Sequence, residues 1–294
     1  MSLAAAPASS CLSLPYHLGC PGWNETAWRG TLYPADATPT DLLALYCRTF
    51  NAVEGNTTFY ALPAAATVAR WAQQMPEDFR FCAKLPRQVS HGGDLREQAE
   101  AVAGFLALLA PLAARVTPYW LQLPASFGPD RLAELAVFID NFPARLAVEL
   151  RHPAFFARGD AERALNRLLR DQGVERICLD SRALFSCTET TAAVVHAQSR
   201  KPRLPPRPTA FSDRPQLRFV GHPELAANEA FLAPWLVKVA EWIEDGLRPH
   251  VFVHTSDNRQ SPQLARRFHQ LLMLRLPGLA PLPEPCAEDQ LSLL

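Results

Sequence analysis

An α/β chain folded as a single (β/α)8, TIM-like barrel, with a Pro/Arg-rich loop between strands 6 and 7, is the architecture this sequence predicts. Three observations carry that expectation. Eight short apolar runs alternate with longer amphipathic ones, the rhythm of repeated βα units. No linker-like stretch divides the 294 residues near their middle, and one barrel fills such a length. The competing open doubly wound sheet lacks its Gly-x-Gly-x-x-Gly turn, because Gly19-Cys-Pro-Gly22 has neither the spacing nor a helix directly behind it.

In chain order, strands are expected at 16–23, 52–60, 79–87, 119–124, 146–151, 176–180, 217–222 and 250–255. Thr38-Pro-Thr-Asp41 offers an N-cap, a first-turn proline and an acid ahead of the helical spacing in DLLALYCRTF. Further helices are expected at 63–74, 95–115, 129–141, 161–172, 226–245 and 261–275, several of them closed by Gly or Pro. The unit after the sixth strand is weaker, with a short helix within 187–197 and then the loop SRKPRLPPRPTAFSDRP (199–215). Residues 1–15 read as a flexible lead-in, 16–276 as the barrel domain, and 277–294 as a tail packed on the surface or disordered.

Composition narrows the function classes. Hydrophobic residues make up 48% and charged residues 20%, enough apolar material for a large core. The formal net charge is zero, so nothing draws the whole molecule toward nucleic acid or anionic lipid. Seven scattered cysteines with no Cys-x-x-Cys pair read as reduced thiols in a cytoplasmic protein. The N-terminus has no basic region followed by an apolar run, and no stretch is long enough to span a membrane.

The strands alternate in an unusual way. In AVEGNTTFY (52–60), Val53, Thr57 and Phe59 share one parity while Glu54, Asn56, Thr58 and Tyr60 share the other. If the more apolar parity meets the helices, the opposite face of all the strands turns Glu54, Asn56, Tyr60, Lys84, Gln122, Glu149, Arg151, Asp180, Arg218, His222 and His254 toward the barrel axis. Trp23 closes the first strand. Isolated buried charges are too costly to persist, so these groups either neutralise one another or meet a ligand. Three acids (Glu54, Glu149, Asp180) and three bases (Lys84, Arg151, Arg218) balance, so a closed structural network is one reading and an active site the other. His91, on a Gly-rich loop after the third strand, is a further ligand contact or a surface histidine. Asp257 precedes the last helix as a binding or capping residue.

Several motifs in a fixed order carry a family resemblance: GCPGWNETAWRGTLYP (19–34), FNAVEGNTTFYALP (50–63), FRFCAKLPRQVSH (79–91), LQLPASF (121–127), AVELRHPAFF (147–156), LDS (179–181) and VFVHTSDNRQSP (251–262). With them the chain resembles the YecE-like family, the domain of unknown function numbered 72. The resemblance implies a TIM-like barrel and supplies no reaction. It implies site roles for Trp23, Glu54, Asn56, Tyr60, Lys84, His91, Gln122, Glu149, Arg151, His152, Asp180 and Asp257. The chain departs from the family pattern at Gly55, where a branched residue is common, which is expected to loosen the packing beside Glu54. It departs again at Arg218-Phe-Val-Gly-His222 and at His254-Thr255.

The chemistry this inventory permits is an enzyme acting on a small polar, phosphate- or carboxylate-bearing substrate. Glu54 or Glu149 would serve as general base and Lys84 as partner acid, with Asp180 beside them. Arg151 and Arg218 would clamp the anion, and Trp23 and Tyr60 would wall the site. A divalent metal is an open sub-case, with Glu54, Glu149, Asp180, His222 and His254 as candidate ligands, though no metal-spacing motif and no nucleotide-cofactor motif is present. The alternative is a non-catalytic binder of nucleic acid or a phosphorylated metabolite through the basic loop 200–214.

Overall fold

A computed structural model describes residues 12–285. The lead-in up to residue 11 and the tail from 286 onward lie outside the described residues. The nearer part of the tail packs closely: Leu279 and Leu282 are buried in the main core, and Arg266 Nη1 donates to the Pro283 carbonyl at 2.5 Å.

The strands are β1 (His17–Gly19), β2 (Ala52–Gly55), β3 (Arg80–Ala83), β4 (Tyr119–Gln122), β5 (Leu146–Glu149), β6 (Glu175–Arg176), β7 (Cys178–Asp180), β8 (Gln216–Val220) and β9 (His250–His254). Every pairing between them is parallel. The helices are α1 (Leu42–Thr49), α2 (Thr57–Tyr60), α3 (Ala65–Gln74), α4 (Arg87–His91), α5 (Ala99–Leu109), α6 (Leu132–Asn141), α7 (Asp160–Asp171), α8 (Arg182–Ser186), α9 (Ala192–Arg200), α10 (Glu229–Glu244) and α11 (Ser261–Met273). The result is an α/β fold in which each expected strand is present but shorter. The expected sixth strand is broken at Ile177 into β6 and β7.

The strands fall into three parallel sheets, ordered β1-β9-β8-β7, β2-β3 and β4-β5-β6. Short backbone links join their edges. Glu54 N–H donates to Cys20 O and Gly22 N–H to Glu54 O, both at 3.1 Å; Leu85 N–H donates to Trp120 O, and Ile177 N–H to Val148 O, both at 2.9 Å. At the β1–β2 edge, side chains replace a ladder. Asn51 accepts from Leu18 N–H and donates to Tyr16 O, each at 2.8 Å, while the Tyr46 hydroxyl accepts from Cys20 N–H and donates to Ala52 O.

Two apolar layers sandwich the strands. The outer and larger one packs the strands on the helices through residues such as Val53, Phe81, Leu121, Val148, Phe219 and Val253. The opposite strand face buries a small separate cluster of Ala52, Cys82, Trp120, Ala147, Ile177 and Phe252. Directly above that cluster, on the same parity, stand the polar groups described below. Helix polarity follows the usual rules. α7 opens with Asp160 and Glu162 and ends with Arg170 before Gly173 at φ 62, a left-handed turn suited to glycine.

Gly19 is required by close approach. A Cβ there would stand 2.0 Å from the Ala52 carbonyl oxygen and 2.9 Å from the Tyr46 hydroxyl, so the strands would have to separate. Gly19→Ala is expected to cost at least about 1–3 kcal/mol, a drop of several degrees in Tm. An unchanged melting curve would show that the seam is more plastic than this geometry allows.

Candidate active site

The stretch 52–60 is a strand for only half its length. β2 ends at Gly55, Asn56 turns into helical backbone (φ −70°, ψ −26°), and Thr57–Tyr60 winds a single turn. The cause is a tertiary hydrogen bond. The Thr58 hydroxyl contacts Gly55 O at 3.0 Å and Lys84 O at 2.7 Å, so the chain curls across the end of β3. Alternation therefore holds for Glu54 and fails beyond it. Tyr60, expected to point inward, is 80% exposed at the rim, and Asn56 is half-buried. Gly55 leaves no gap: a Cβ there would strike the Phe81 ring at 2.5 Å, so that ring fills the space the sequence led us to expect open.

The strands' C-terminal ends bring the other inward residues together. Glu54, fully buried, receives Arg218 Nη2 on Oε1 at 2.6 Å and Arg218 Nε on Oε2 at 2.9 Å. Lys84 Nζ stands 3.2 Å from Oε1, and His254 Nε2 lies 2.7 Å from Oε2. Arg218 reaches Glu149 with its remaining terminal nitrogen, and Arg151 Nε donates to the other oxygen of Glu149 at 2.8 Å. Lys84 also donates to Gln122 Oε1 at 3.1 Å. Both carboxylates are saturated, and every charge in this network has an opposite partner.

The electrostatics redistribute the expected roles. Burial alone would raise the Glu54 carboxyl, but the charges of Arg218 and Lys84, with the hydrogen bond from His254, outweigh it and hold it well below the carboxylate range. Glu149 is likewise pulled down, burial being overcome by Arg218, Arg151 and Lys84. Carboxyls so depressed are poor proton acceptors at neutral pH, so neither suits the general-base role expected of it. Burial, helped by Arg218, lowers Lys84 to about 8 despite Glu54. Burial lowers His254 to about 4, leaving a neutral imidazole that donates its Nε2–H to Glu54. Arg218 is likewise no free clamp, because its donors are committed to Glu54 and Glu149.

Above this network opens a cavity of about 850 Å³. Trp23 contributes to its wall, wedged edge-on against Trp71 with ring centroids 5.1 Å apart. Tyr60 and His91 sit at its rim. His91 ends α4 rather than lying on a loop, and its ring meets Phe59 edge-on. Burial, with Arg87 and Arg151 nearby, lowers the pKa of His91.

Four expected site residues lie elsewhere. Asp180 faces the helix layer: its carboxylate accepts from Trp235 Nε1 of α10 at 2.7 Å and pairs with Arg182. In that strand the polar parity turns outward because polar partners wait there, as Arg176 also shows by reaching Glu162 and Asn166 of α7. His222 lies beyond β8, where its Nδ1 accepts from Glu224 N–H at 3.0 Å, and it does not line the cavity. His152 caps the short turn Pro153–Phe156 by accepting from Ala154 N–H. Asp257 is exposed and accepts from Arg259 N–H at 3.1 Å. The five candidate metal ligands therefore do not converge. Only Glu54 and His254 touch, and among the described residues no three His, Cys, Asp or Glu side chains group as a metal site.

Three cations outside the expected axis-facing set also line the cavity, two of them, Arg200 and Lys201, at the start of the basic loop 200–214. Arg87 begins α4, Arg200 ends α9 and Lys201 follows it, and none of the three side chains has a hydrogen bond or ion pair among the described residues. Lys201 is half-buried, and burial reinforced by Arg218 lowers it to about 7. One sequence signal could have pointed to it. Only three of the 29 basic residues are lysines, and two of those three stand in this cavity. The loop beyond Lys201 is partly committed, with Arg203 left exposed over the Phe185 ring. Arg207 Nε donates to Glu162 at 2.7 Å, and Glu175 gathers the Phe211 and Ser212 amides.

Comparisons with known proteins agree with one another. The family model described as "Protein of unknown function DUF72" matches residues 17–287. The UPF0759 protein YecE of Escherichia coli K12 is 39% identical over 269 residues, covering 91% of this chain and 96% of that protein. A DUF72 family protein from Thermotoga maritima superposes with a TM-score of 0.65 at 24% identity, covering 87% of this chain and 98% of that one. Another from Enterococcus faecalis gives 0.64 at 17% identity, covering 89% and 97%. The two structures share the fold.

Proposed function

The chain belongs to the DUF72 family of proteins of unknown function, and on that premise we propose that it is an enzyme acting on a small anionic substrate by acid–base chemistry. The single observation that carries this reading is charge imbalance in the cavity. Its wall presents Lys84, Arg87, Arg151, Arg200, Lys201 and Arg218, and among the described residues Glu54 is the one carboxylate that faces it. With Asp180 turned outward, the acids no longer balance the bases, and a small phosphate or carboxylate would complete the set.

In this reading Arg87 and Arg200 grip the anion at the rim while its reacting part reaches Lys84. Lys84 passes the proton, since an ammonium near neutrality can both give and take one. Glu54 and Glu149 stay ionised and hold Lys84 and Arg218 in place, and Tyr60 offers an exposed ring at the rim. The three sheets are then arcs of one (β/α)8 barrel spanning 16–276, a reading supported by the backbone links across their edges and by the shared inner layer. The site occupies the C-terminal ends of the strands, where such barrels carry their chemistry.

Calorimetric titration with inorganic phosphate and with small phosphate- and carboxylate-bearing metabolites tests the reading. Arg87→Ala/Arg200→Ala is expected to weaken binding by roughly tenfold or more, the loss of charge-assisted contacts. Equal affinity in the double variant, or no anion bound by the wild type, would remove the basis for an anionic substrate.

A further inference from the structure

We infer that Lys201 is a covalent catalyst: its amine condenses with the carbonyl of an anionic aldehyde or ketone held in the cavity, forming an imine. This rests on the anionic-substrate reading above and names the substrate class within it. The three lysines of the chain have different fates. Lys238, on α10, is exposed and paired with Glu241 at 2.9 Å. Lys84 is bonded to Glu54 and Gln122, so its nitrogen is committed to the network below. Lys201 alone among them has no side-chain hydrogen bond or ion pair among the described residues, yet it reaches into the cavity.

The backbone beneath it is fixed. Lys201 N–H closes α9 on Ala197 O at 3.0 Å, and the next residue, Pro202, accepts the Ser181 hydroxyl at 2.8 Å. A nucleophilic amine needs its lone pair, and Lys201, lowered to about 7, is about half neutral at pH 7, whereas an ordinary lysine is almost wholly protonated. The step balances. The Nζ lone pair adds to the carbonyl carbon, and the proton that nitrogen sheds passes to the oxygen. Lys84 then gives its proton to the resulting hydroxyl, which leaves as water and yields a cationic iminium. Lys84 is left neutral, so one of the two cations that repel a charge at Lys201, Lys84 and Arg218, is removed as that charge forms, while Glu54 and Glu149 attract it.

Pyridoxal 5′-phosphate, an aldehyde bearing a phosphate, is a suitable probe of the intact chain. With cyanoborohydride at pH 7 followed by peptide mapping, reduced adduct is expected at Lys201 on the order of tenfold or more faster than at Lys238, with a rate midpoint near pH 7 rather than above 10. Excess pyridoxine 5′-phosphate, the same anion without the aldehyde, should suppress it, and Lys201→Arg should lack it. Equal labelling of Lys201 and Lys238, or labelling at Lys84 that Lys201→Arg leaves unchanged, overturns the imine. Calorimetry with pyridoxine 5′-phosphate separates the two claims. Binding that persists in Lys201→Arg without selective labelling of the wild type sinks only the imine. No binding to the wild type sinks the anionic-substrate reading with it.

Discussion

Replacing Arg218 by methionine is expected to lower stability by about 3–5 kcal/mol, because it leaves buried charges without their principal partner. Arg218 is 1% exposed and bridges two carboxylates that are as deeply buried, Glu54 and Glu149. Lys84 and His254 would remain beside Glu54, and Arg151 beside Glu149, but none of them spans the two. For a domain of this size the loss corresponds to a Tm lower by about 10 °C. The pH dependence follows from the direction of the shifts. Both carboxyls are held below their ordinary range, so they contribute stability above the unfolded value near 4.3, and that contribution is lost as pH falls through the folded values. Removing Arg218 raises those folded values, so the deficit should be largest at neutral pH and shrink as pH falls through the variant's raised values. Arg218→Lys restores a charge but cannot bridge, and should recover only part of the loss. A methionine variant melting within 2 °C of the wild type at pH 7 would mean that the network carries little of the fold's stability.

Much of this network was legible as alternation. Glu54, Lys84, Gln122, Glu149, Arg218 and His254 all share the predicted face, because a strand's period of two is a local property. The failures are tertiary. Asn56 leaves the strand because Thr58 finds the Lys84 carbonyl 26 residues away, which no local pattern encodes. Asp180 faces outward because Trp235 offers an indole N–H from a helix more than fifty residues on. The rule that apolar residues face the helices assumes an apolar helix layer, and at this strand the layer supplies Glu162 and Asn166. His222 falls past a turn where the Asn228 side chain and Leu264 crowd the α-face of Gly221. Lys201 looked like part of a solvated loop because the charged groups that act on it across the cavity, Arg218, Glu54, Lys84 and Glu149, are distant in sequence.

Between about pH 7 and 10 the wild-type protein is expected to gain stability relative to a Lys84→Met/Lys201→Met double variant. Burial, joined by Arg218, places Lys84 at about 8 and Lys201 at about 7 in the folded state, against about 10.4 in an unfolded chain. Across that interval the unfolded chain binds more protons, so stability rises with pH. The cost of holding both ammonium groups is fully present below the folded values and gone above the unfolded one. Lys201 is half-buried and partly screened by solvent, which brings the expected gain to the order of 2–4 kcal/mol for the pair. The buried thiols of Cys20, Cys82 and Cys178 are pushed up by burial and act in the opposite sense above about pH 8.5. They are common to both proteins, so the difference between the two denaturation curves at each pH isolates the lysines. Parallel curves would show that the two amines titrate as ordinary surface lysines. An anion in the cavity should restore charge to both groups. Saturating phosphate is therefore expected to flatten the wild-type slope, and its binding near pH 7.5 should take up protons, readable as a buffer-dependent calorimetric enthalpy that the double variant lacks.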